Sequence, residues 1–395
     1  MSDEPIVRRP RGPRFLRLHL TNFLSYSDAT LEFGDLVALV GPNSSGKSNA
    51  VAAIKLLREI PFHGLPTAVA RRGGFGQLRH ISSDNTLDPA LRLDFQYAEE
   101  SESFYELTLR SVAGTRYSVL ENAEINTPSG RYTFLNNDGR LRWSEVEKDG
   151  EDERVISSDE MRQEIKIPPG QSVTAIGVTY GAYMVSQVLQ SMQTVEINPA
   201  RVGELQEPSS IREFEPDGSN TASIYENLSA ASKRELIDEL TAIVPGIERV
   251  IVRKLADKVT LSFQPLSPRR NRRGFLAKQM SDGTLRAFGI LLSVLQPSKP
   301  ALLVIEEPEI AIHLGALRTL VDILRQKSEL SQIVITTHSA DIVDTLDPSS
   351  LRVVWNDLGE SRISRIADHT IETVRKGLIT PGELLRSDAL DPAGT

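Results

Sequence analysis

The sequence predicts an α/β fold: a mixed, mainly parallel sheet core that carries an antiparallel β subdomain and a helical insertion. Three observations predict it. "DLVALV" runs directly into "GPNSSGKSN" and then into the apolar "AVAAIKLLREI", a succession of strand, loop and buried helix. "ALLVIEE" and "QIVITTH" are near-continuous apolar runs separated by the helical pattern "LGALRTLVDILRQ". Strands covered on both faces in a parallel sheet read this way. Between these halves, "LRLDFQY", "YELTL" and "GRYTFLNNDGRLRW" alternate apolar and polar residues, the pattern of antiparallel hairpins.

The elements divide the chain into four stretches. Residues 1–14 form a basic, proline-rich arm, and 15–145 hold a first lobe that begins with the strand "RFLRLHLTNF" and contains the antiparallel subdomain. Residues 146–245 read as an irregular and helical insertion, with helices at "DGSNTASIYENL" and "SKRELIDELTAIVPG", the second stopped by Pro245-Gly246. Residues 246–395 hold a second lobe, opening on the short strands "ERVIVRK" and "KVTLSF". The chain has no internal repeat and no heptads long enough for a coiled-coil arm.

Composition excludes several classes. The absence of cysteine removes disulfides, thiolate metal sites and a cysteine nucleophile. No apolar run approaches the ~20 residues of a membrane helix, and "MSDEPIVRRPRGPR" lacks the apolar core of a signal peptide. A cytoplasmic protein without membrane contact is expected. With a net charge of −8, nucleic-acid binding requires a local basic patch.

Gly41 to Ser48 fit the phosphate-binding pattern G-x-x-x-x-G-K-[ST] between a strand and a helix. In such a loop the amides around Asn43, Ser44, Ser45 and Gly46 face the phosphates of ATP, with Asn49 just behind. Lys47 reaches the β and γ oxygens, and the Ser48 hydroxyl ligates Mg²⁺. "LLVIEEPE" ends a strand on Glu306, placed for the Mg²⁺ shell, and Glu307, which points the other way and can polarise the attacking water. "VITTHSAD" sets His338 past a second strand, within reach of a γ-phosphate or its water. Alone, two glutamates or one histidine at a strand end have an ordinary structural reading; the loop at Lys47 gives them weight.

In "KQMSDGTLRAF", Ser281 is a good N-cap for a helix whose Leu285, Phe288, Leu292 and Leu295 recur at spacings of three and four. With Gly283 beside it, this helix start suits an anion. Gln77 in "RRGGFGQLRH" is a candidate link to Mg²⁺, although Arg71, Arg72 and Arg79 are equally placed for phosphate, and a solvated loop is the leading alternative. Arg269, Arg270, Arg272 and Arg273 form a basic cluster that suits DNA, an acidic partner or plain solvation.

In order, the phosphate loop, a long insertion, "SDGT" opening a helix, "LLVIEEPE" and "TTHS" resemble the ABC-type ATPases of the RecF and SMC kind. The chain is more closely similar to the ATPase part of the OLD (overcoming lysogenization defect) nucleases and to related stand-alone bacterial AAA ATPases. "TNFLSYSDATLEFGDLVALVGPNSSGKSN", "DGSN" before a helix and "PGELLRSDAL" carry that likeness. It covers nearly the whole chain, with residues 110–215 contributing little. Two departures stand out: Ser44-Ser45 replaces the usual glycine-serine, and "IHLG" lacks the proline that often follows its histidine, so no role is carried over to His313. The resemblance implies a P-loop NTPase of ABC ATPase type that uses ATP and Mg²⁺. It also implies a homodimer in which Ser281 and Gly283 of one chain cap the γ-phosphate held by the other. With about thirty residues after 365, the OLD nuclease domain is not expected here, and if the function includes cutting, another chain is expected to do it.

Three functions fit these residues. One is an ATP-hydrolysing switch acting on DNA or on a separate effector, such as a nuclease or toxin, in phage defence or DNA repair. The others are the nucleotide-binding subunit of an ABC transporter and a scaffold that binds ATP without hydrolysing it. The long insertion and the Glu306-Glu307 pair speak against the transporter.

Overall fold

The computed structural model describes residues 12–81, 87–97, 101–112, 116–149, 152–157, 165–266, 274–387 and 389–393. Strands β1 (Arg14–Phe23) and β2 (Tyr26–Glu32) form a hairpin, and β3 (Leu36–Val40) leads through the glycine loop into α1 (Lys47–His63). Strands β4 (Ala90–Gln96), β5 (Glu102–Ser111), β6 (Tyr117–Thr127), β7 (Gly130–Asn137), β8 (Arg140–Asp149) and β9 (Asp152–Ser157) follow as a meander. They extend the first hairpin into an eight-stranded antiparallel sheet, ordered β2-β1-β4-β5-β6-β7-β8-β9.

Helix α2 (Tyr180–Gln190) then packs on β6 and β7 and hands the chain to β10 (Met192–Val195). After α3 (Ala230–Ile243) come β11 (Ile247–Leu255), β12 (Lys258–Pro265) and β13 (Phe275–Leu276), a small antiparallel sheet. Helix α4 (Asp282–Leu295), β14 (Leu302–Glu306), α5 (Leu314–Lys327), β15 (Gln332–Thr337), β16 (Leu351–Asp357) and β17 (Glu360–Arg365) complete the core. Its six-stranded sheet runs β10-β14-β15-β3-β16-β17, parallel except for the last pair.

Alternation along the core strands explains why they read as unbroken apolar runs. Val37, Leu39, Leu302, Val304 and Val334 enter the hydrophobic core shared with α1, α2 and the antiparallel sheet. Leu36, Ala38, Val40, Leu303, Ile305, Ile333 and Ile335 enter a second core with α3, α4 and α5. Both faces are buried, so successive positions at 36–40, 302–305 and 333–335 are all apolar. Gln332 ties the two sheets together: its carboxamide accepts from Phe15 N at 2.6 Å and donates to Phe15 O at 2.9 Å and Gly34 O at 3.0 Å.

Strand β10 escaped the sequence reading, which took this stretch as irregular. Its four residues include the buried polar Gln193 and Thr194, so no apolar run marks it. Gln193 Nε2 donates to Phe214 O, and its Oε1 accepts from Gln296 Nε2 at 2.6 Å. That closed polar network satisfies both amides and makes their burial tolerable.

Candidate functional site

The strands β3, β14 and β15 are parallel neighbours, so the phosphate loop, the two glutamates and His338 all leave the sheet at its carboxyl end. A crevice outside the carboxyl ends is where open α/β sheets bind ligands. Strand β15 lies between the other two, which sets His338 between the loop and the glutamates.

Close packing shapes the loop. Gly46 has φ 120°, and a Cβ there would stand 2.4 Å from Ser361 Oγ, so only glycine fits. Tyr26 Oη donates to Gly46 O at 2.9 Å, and Asn49 Nδ2 donates to Ser25 Oγ at 2.7 Å. Lys47 is buried, its Nζ donating to Gly41 O at 2.7 Å and Pro42 O at 2.9 Å. Burial pushes the Lys47 pKa down, against the pull of Glu307 and Glu309. Ser45 is 2% exposed and its Oγ has no hydrogen-bond partner among the described residues. An orphaned hydroxyl lacks an acceptor, and a buried ammonium hydrogen-bonded to neutral carbonyls lacks a charged one; a phosphate supplies both. Asn43, Ser44 and Ser48 stand exposed at the loop's mouth.

The glutamates separate, as adjacent strand-end residues must. Glu306 turns toward α1, where Lys55 Nζ lies 2.6 Å from its Oε1 and Glu196 lies 3.8 Å beyond. Burial raises the Glu306 pKa, and Lys55 works against that rise. Glu307 turns toward Lys47 and His338. Its backbone has φ 45°, and its N–H donates to Thr336 O at 3.0 Å. Its Oε1 lies 3.8 Å from His338 Nδ1.

Glu309, absent from the residues singled out in sequence, joins them. Its Oε1 accepts from Thr337 Oγ1 at 2.7 Å and from His338 N at 3.1 Å, and lies 3.5 Å from His338 Nδ1. Its Oε2 is buried without a partner among the described residues. The signal for Glu309 was the third acidic residue of "EEPE". Arg286 is a second addition. It sits in α4, 6% exposed, with no ion pair or hydrogen bond among the described residues. Burial lowers its pKa, and Glu196, Glu307 and Glu309 oppose that.

Ser281 and Gly283 lie elsewhere. Ser281 caps α4, its Oγ accepting from Thr284 N at 3.3 Å. A 470 Å³ cavity opens there, lined by Ser281, Gly283, His313 and Gly315 and by no residue of the loop 41–48. His313 caps α5, its Nδ1 accepting from Gly315 N at 3.1 Å. Gln77 is exposed on the one-turn helix Phe75–Leu78, without a partner among the described residues. Nearby, Arg72 pairs with Glu59 at 3.0 Å, Arg71 lies 3.8 Å from the same carboxylate, and Arg79 lies 3.8 Å from Asp88. Arg269, Arg270, Arg272 and Arg273 fall outside the described residues. No group of three or more histidine or acidic side chains among the described residues forms a metal cage. A Mg²⁺ held by one hydroxyl, one carboxylate and substrate phosphates needs none.

Residues 36–344 match a family model described as "AAA domain, putative AbiEii toxin, Type IV TA system". The chain belongs to this AAA-domain family. Over 129 residues it is 29% identical to structural maintenance of chromosomes protein 1 of Arabidopsis thaliana, a match covering 31% of this chain and 10% of that protein. The chain thus spans about a tenth of that relative's length.

Two solved SMC head domains share the fold. One, bound to the C-terminal winged-helix domain of ScpA, has a TM-score of 0.56 at 16% identity, covering 90% of this chain and 99% of that one. The other carries an extended coiled coil and is bound to the C-terminal domain of ScpA, derived from Pyrococcus furiosus. It also has a TM-score of 0.56, at 12% identity, covering 93% of this chain and 99% of that one. The AAA domain therefore has the P-loop fold of SMC-head ABC-type ATPases, as the order of its motifs led us to expect. No helix among its described residues is long and apolar enough to cross a membrane.

Proposed function

We propose that this AAA domain is an ATP-hydrolysing switch of OLD-like kind, whose two copies close head to tail around ATP and Mg²⁺. The separation of its two phosphate-suited features carries the reading. The cavity at Ser281 and Gly283 has no wall in common with the loop of its own chain. A second chain brings the two together.

Lys47 gives up its carbonyl partners for phosphate oxygens, and the amides of Asn43 to Gly46 with Ser45 Oγ complete the cradle. Ser48 and Glu306 would hold Mg²⁺, with Gln77 as its outer link, and the metal would supply charge that offsets the phosphates. Glu307 takes the proton of the attacking water. His338, fixed through its backbone by Glu309, orients that water or the γ-phosphate. Ser281 and Gly283 of the partner chain cap the γ-phosphate, and hydrolysis releases the pair.

The switch acts in the cytoplasm on DNA or on a separate effector such as a nuclease or toxin, in defence or repair. Support comes from the family's toxin-system description and from SMC heads solved with partner proteins. The arginines at 269–273 are its candidate DNA contact. Steady-state phosphate release and ATP-dependent dimerisation, measured on purified protein, test the reading: both are expected, and ATP binding without release would leave a scaffold instead.

A further inference from the structure

Helix α1 carries two residues that bear on Glu306. Ser48 and Lys55 are seven residues apart, about two turns, so they lie on one face of the helix with about 10 Å between them along its axis. Helical side chains lean toward the N-terminus, which turns the long arm of Lys55 toward Ser48. Its Nζ lies 2.6 Å from Glu306 Oε1. The contact is an ion pair without hydrogen-bond alignment, since Glu306 Oε1 is buried and has no hydrogen-bond partner among the described residues. A buried carboxylate oxygen in that state keeps its lone pairs for a hard cation, which suits the metal role given to Glu306.

Lys55 has a second carboxylate within reach. Val195 of β10 stands opposite Ile305 of β14, so Glu196 and Glu306 leave the two parallel strands side by side. Glu196 Oε2 lies 3.8 Å from Lys55 Nζ. The side chain of Glu306 is 12% exposed and that of Glu196 is 65% exposed. One ammonium thus serves a buried carboxylate at close range and a solvated one at longer range. Glu307 and Arg286 also bear on the two acids, but Arg286 makes no ion pair with either among the described residues.

A dication and an ammonium within a few ångströms of each other repel, so Glu306 cannot serve both. We propose that Lys55 competes with Mg²⁺ for Glu306 and passes to Glu196 when the metal binds, an inference that rests on the metal reading of Glu306. In both states each acid then keeps a cation beside it, and the buried one is never left without counter-charge. The competition also opposes metal at Glu306 until nucleotide phosphates add their own charge, so metal loading follows nucleotide. An ion pair that only fastens α1 to β14 needs neither Glu196 nor a second position for the ammonium.

The probe is Mn²⁺, titrated into the full chain saturated with ADP in mildly alkaline buffer and followed by the paramagnetic resonance of the free ion. Lys55→Met should tighten Mn²⁺ binding by about tenfold, the scale of one nearby charge. Glu196→Gln should weaken it by a similar factor, because the ammonium then stays on Glu306. With Lys55→Met already present, Glu196→Gln should have little effect, whereas a direct pull of the Glu196 charge on the metal would persist. Lys55→Arg keeps the charge and should bind no more tightly than the unmodified chain. Unchanged or weaker binding in Lys55→Met overturns the proposal, as does an undiminished effect of Glu196→Gln in its presence. Glu196 is exposed, so its variant keeps the fold, and an unchanged affinity in Glu196→Gln alone overturns the proposal too. Glu306→Gln separates the two failures: if it weakens Mn²⁺ binding, the metal reading stands and any failure falls on Lys55, and if it does not, the reading and the inference fall together.

Discussion

Gly283 stands so close to Ala311 that a Cβ on the glycine would lie 2.2 Å from the Ala311 carbonyl oxygen. The start of α4 thus rests on the turn that leaves β14 through Glu307 and Glu309. That turn has φ 45° at Glu307 and 62° at Ala311, and neither residue is glycine, so contacts hold it in place.

Gly283→Ala separates two effects of opposite sign. Helix propensity alone would favour alanine by up to about 1 kcal/mol. Overpacking against Ala311 should outweigh that, destabilising the fold by about 1–3 kcal/mol and lowering turnover as the Glu307 turn shifts. Denaturant unfolding and phosphate release check both. A stabilised variant with normal turnover would show that the contact is slack.

Arg286→Met should move stability and activity in opposite directions. A buried guanidinium with no hydrogen bond or ion pair among the described residues costs free energy, and an apolar side chain of similar size removes that cost, so the melting point should rise. Turnover should nevertheless fall, because Arg286 faces Glu307 and Glu309. Thermal melts and ATPase rates test the pair of effects. A melting point that drops with turnover would make the arginine structural.

Lys47→Ala and Glu307→Gln should fail differently. The first removes the cation beside the phosphates and should abolish nucleotide binding. The second keeps the cradle and should lower turnover by about 10²–10⁴ while prolonging the ATP-bound dimer. Equilibrium binding and single-turnover kinetics distinguish them, and normal hydrolysis in Glu307→Gln would remove that residue from its role.

Glu121 gives the pH dependence. Its buried carboxylate takes hydrogen bonds from Tyr105, Asn136, Ser172 and Val173, yet burial still raises its pKa above the ordinary carboxyl value. A group whose folded pKa is raised contributes most when protonated, and that contribution is lost as pH rises through the folded value. Wild-type stability relative to Glu121→Gln should therefore fall with rising pH above the ordinary carboxyl range and then level off. A difference that grows with pH would contradict this sign.

The sequence exposed those parts of the fold whose causes are local. The loop at Gly41–Ser48 declares itself because glycines and a lysine at fixed spacing have few other uses, and β3, β14 and β15 because burial on both faces leaves unbroken apolar runs at 36–40, 302–305 and 333–335. What it hid depends on distant partners. Strand β10 carries Gln193, whose amide is satisfied by Phe214 and Gln296. Glu309 gains its place only when Thr337 and His338 arrive from the next strand. Lys55 meets Glu306 across the gap between α1 and β14, and no spacing rule announces that.

The head-to-tail site is tested most directly by mixing two inactive variants. Ser281→Arg blocks the cap and keeps the cradle, while Lys47→Ala disables the cradle and keeps the cap, so each homodimer has two broken sites. In a mixed dimer one site joins the intact cradle to the intact cap, and the other collects both lesions. ATP-dependent dimerisation of the mixture should return, and with it ATPase activity if one site fires alone. If neither returns although the chains demonstrably exchange, Ser281 does not act across an interface, and the head-to-tail account is contradicted.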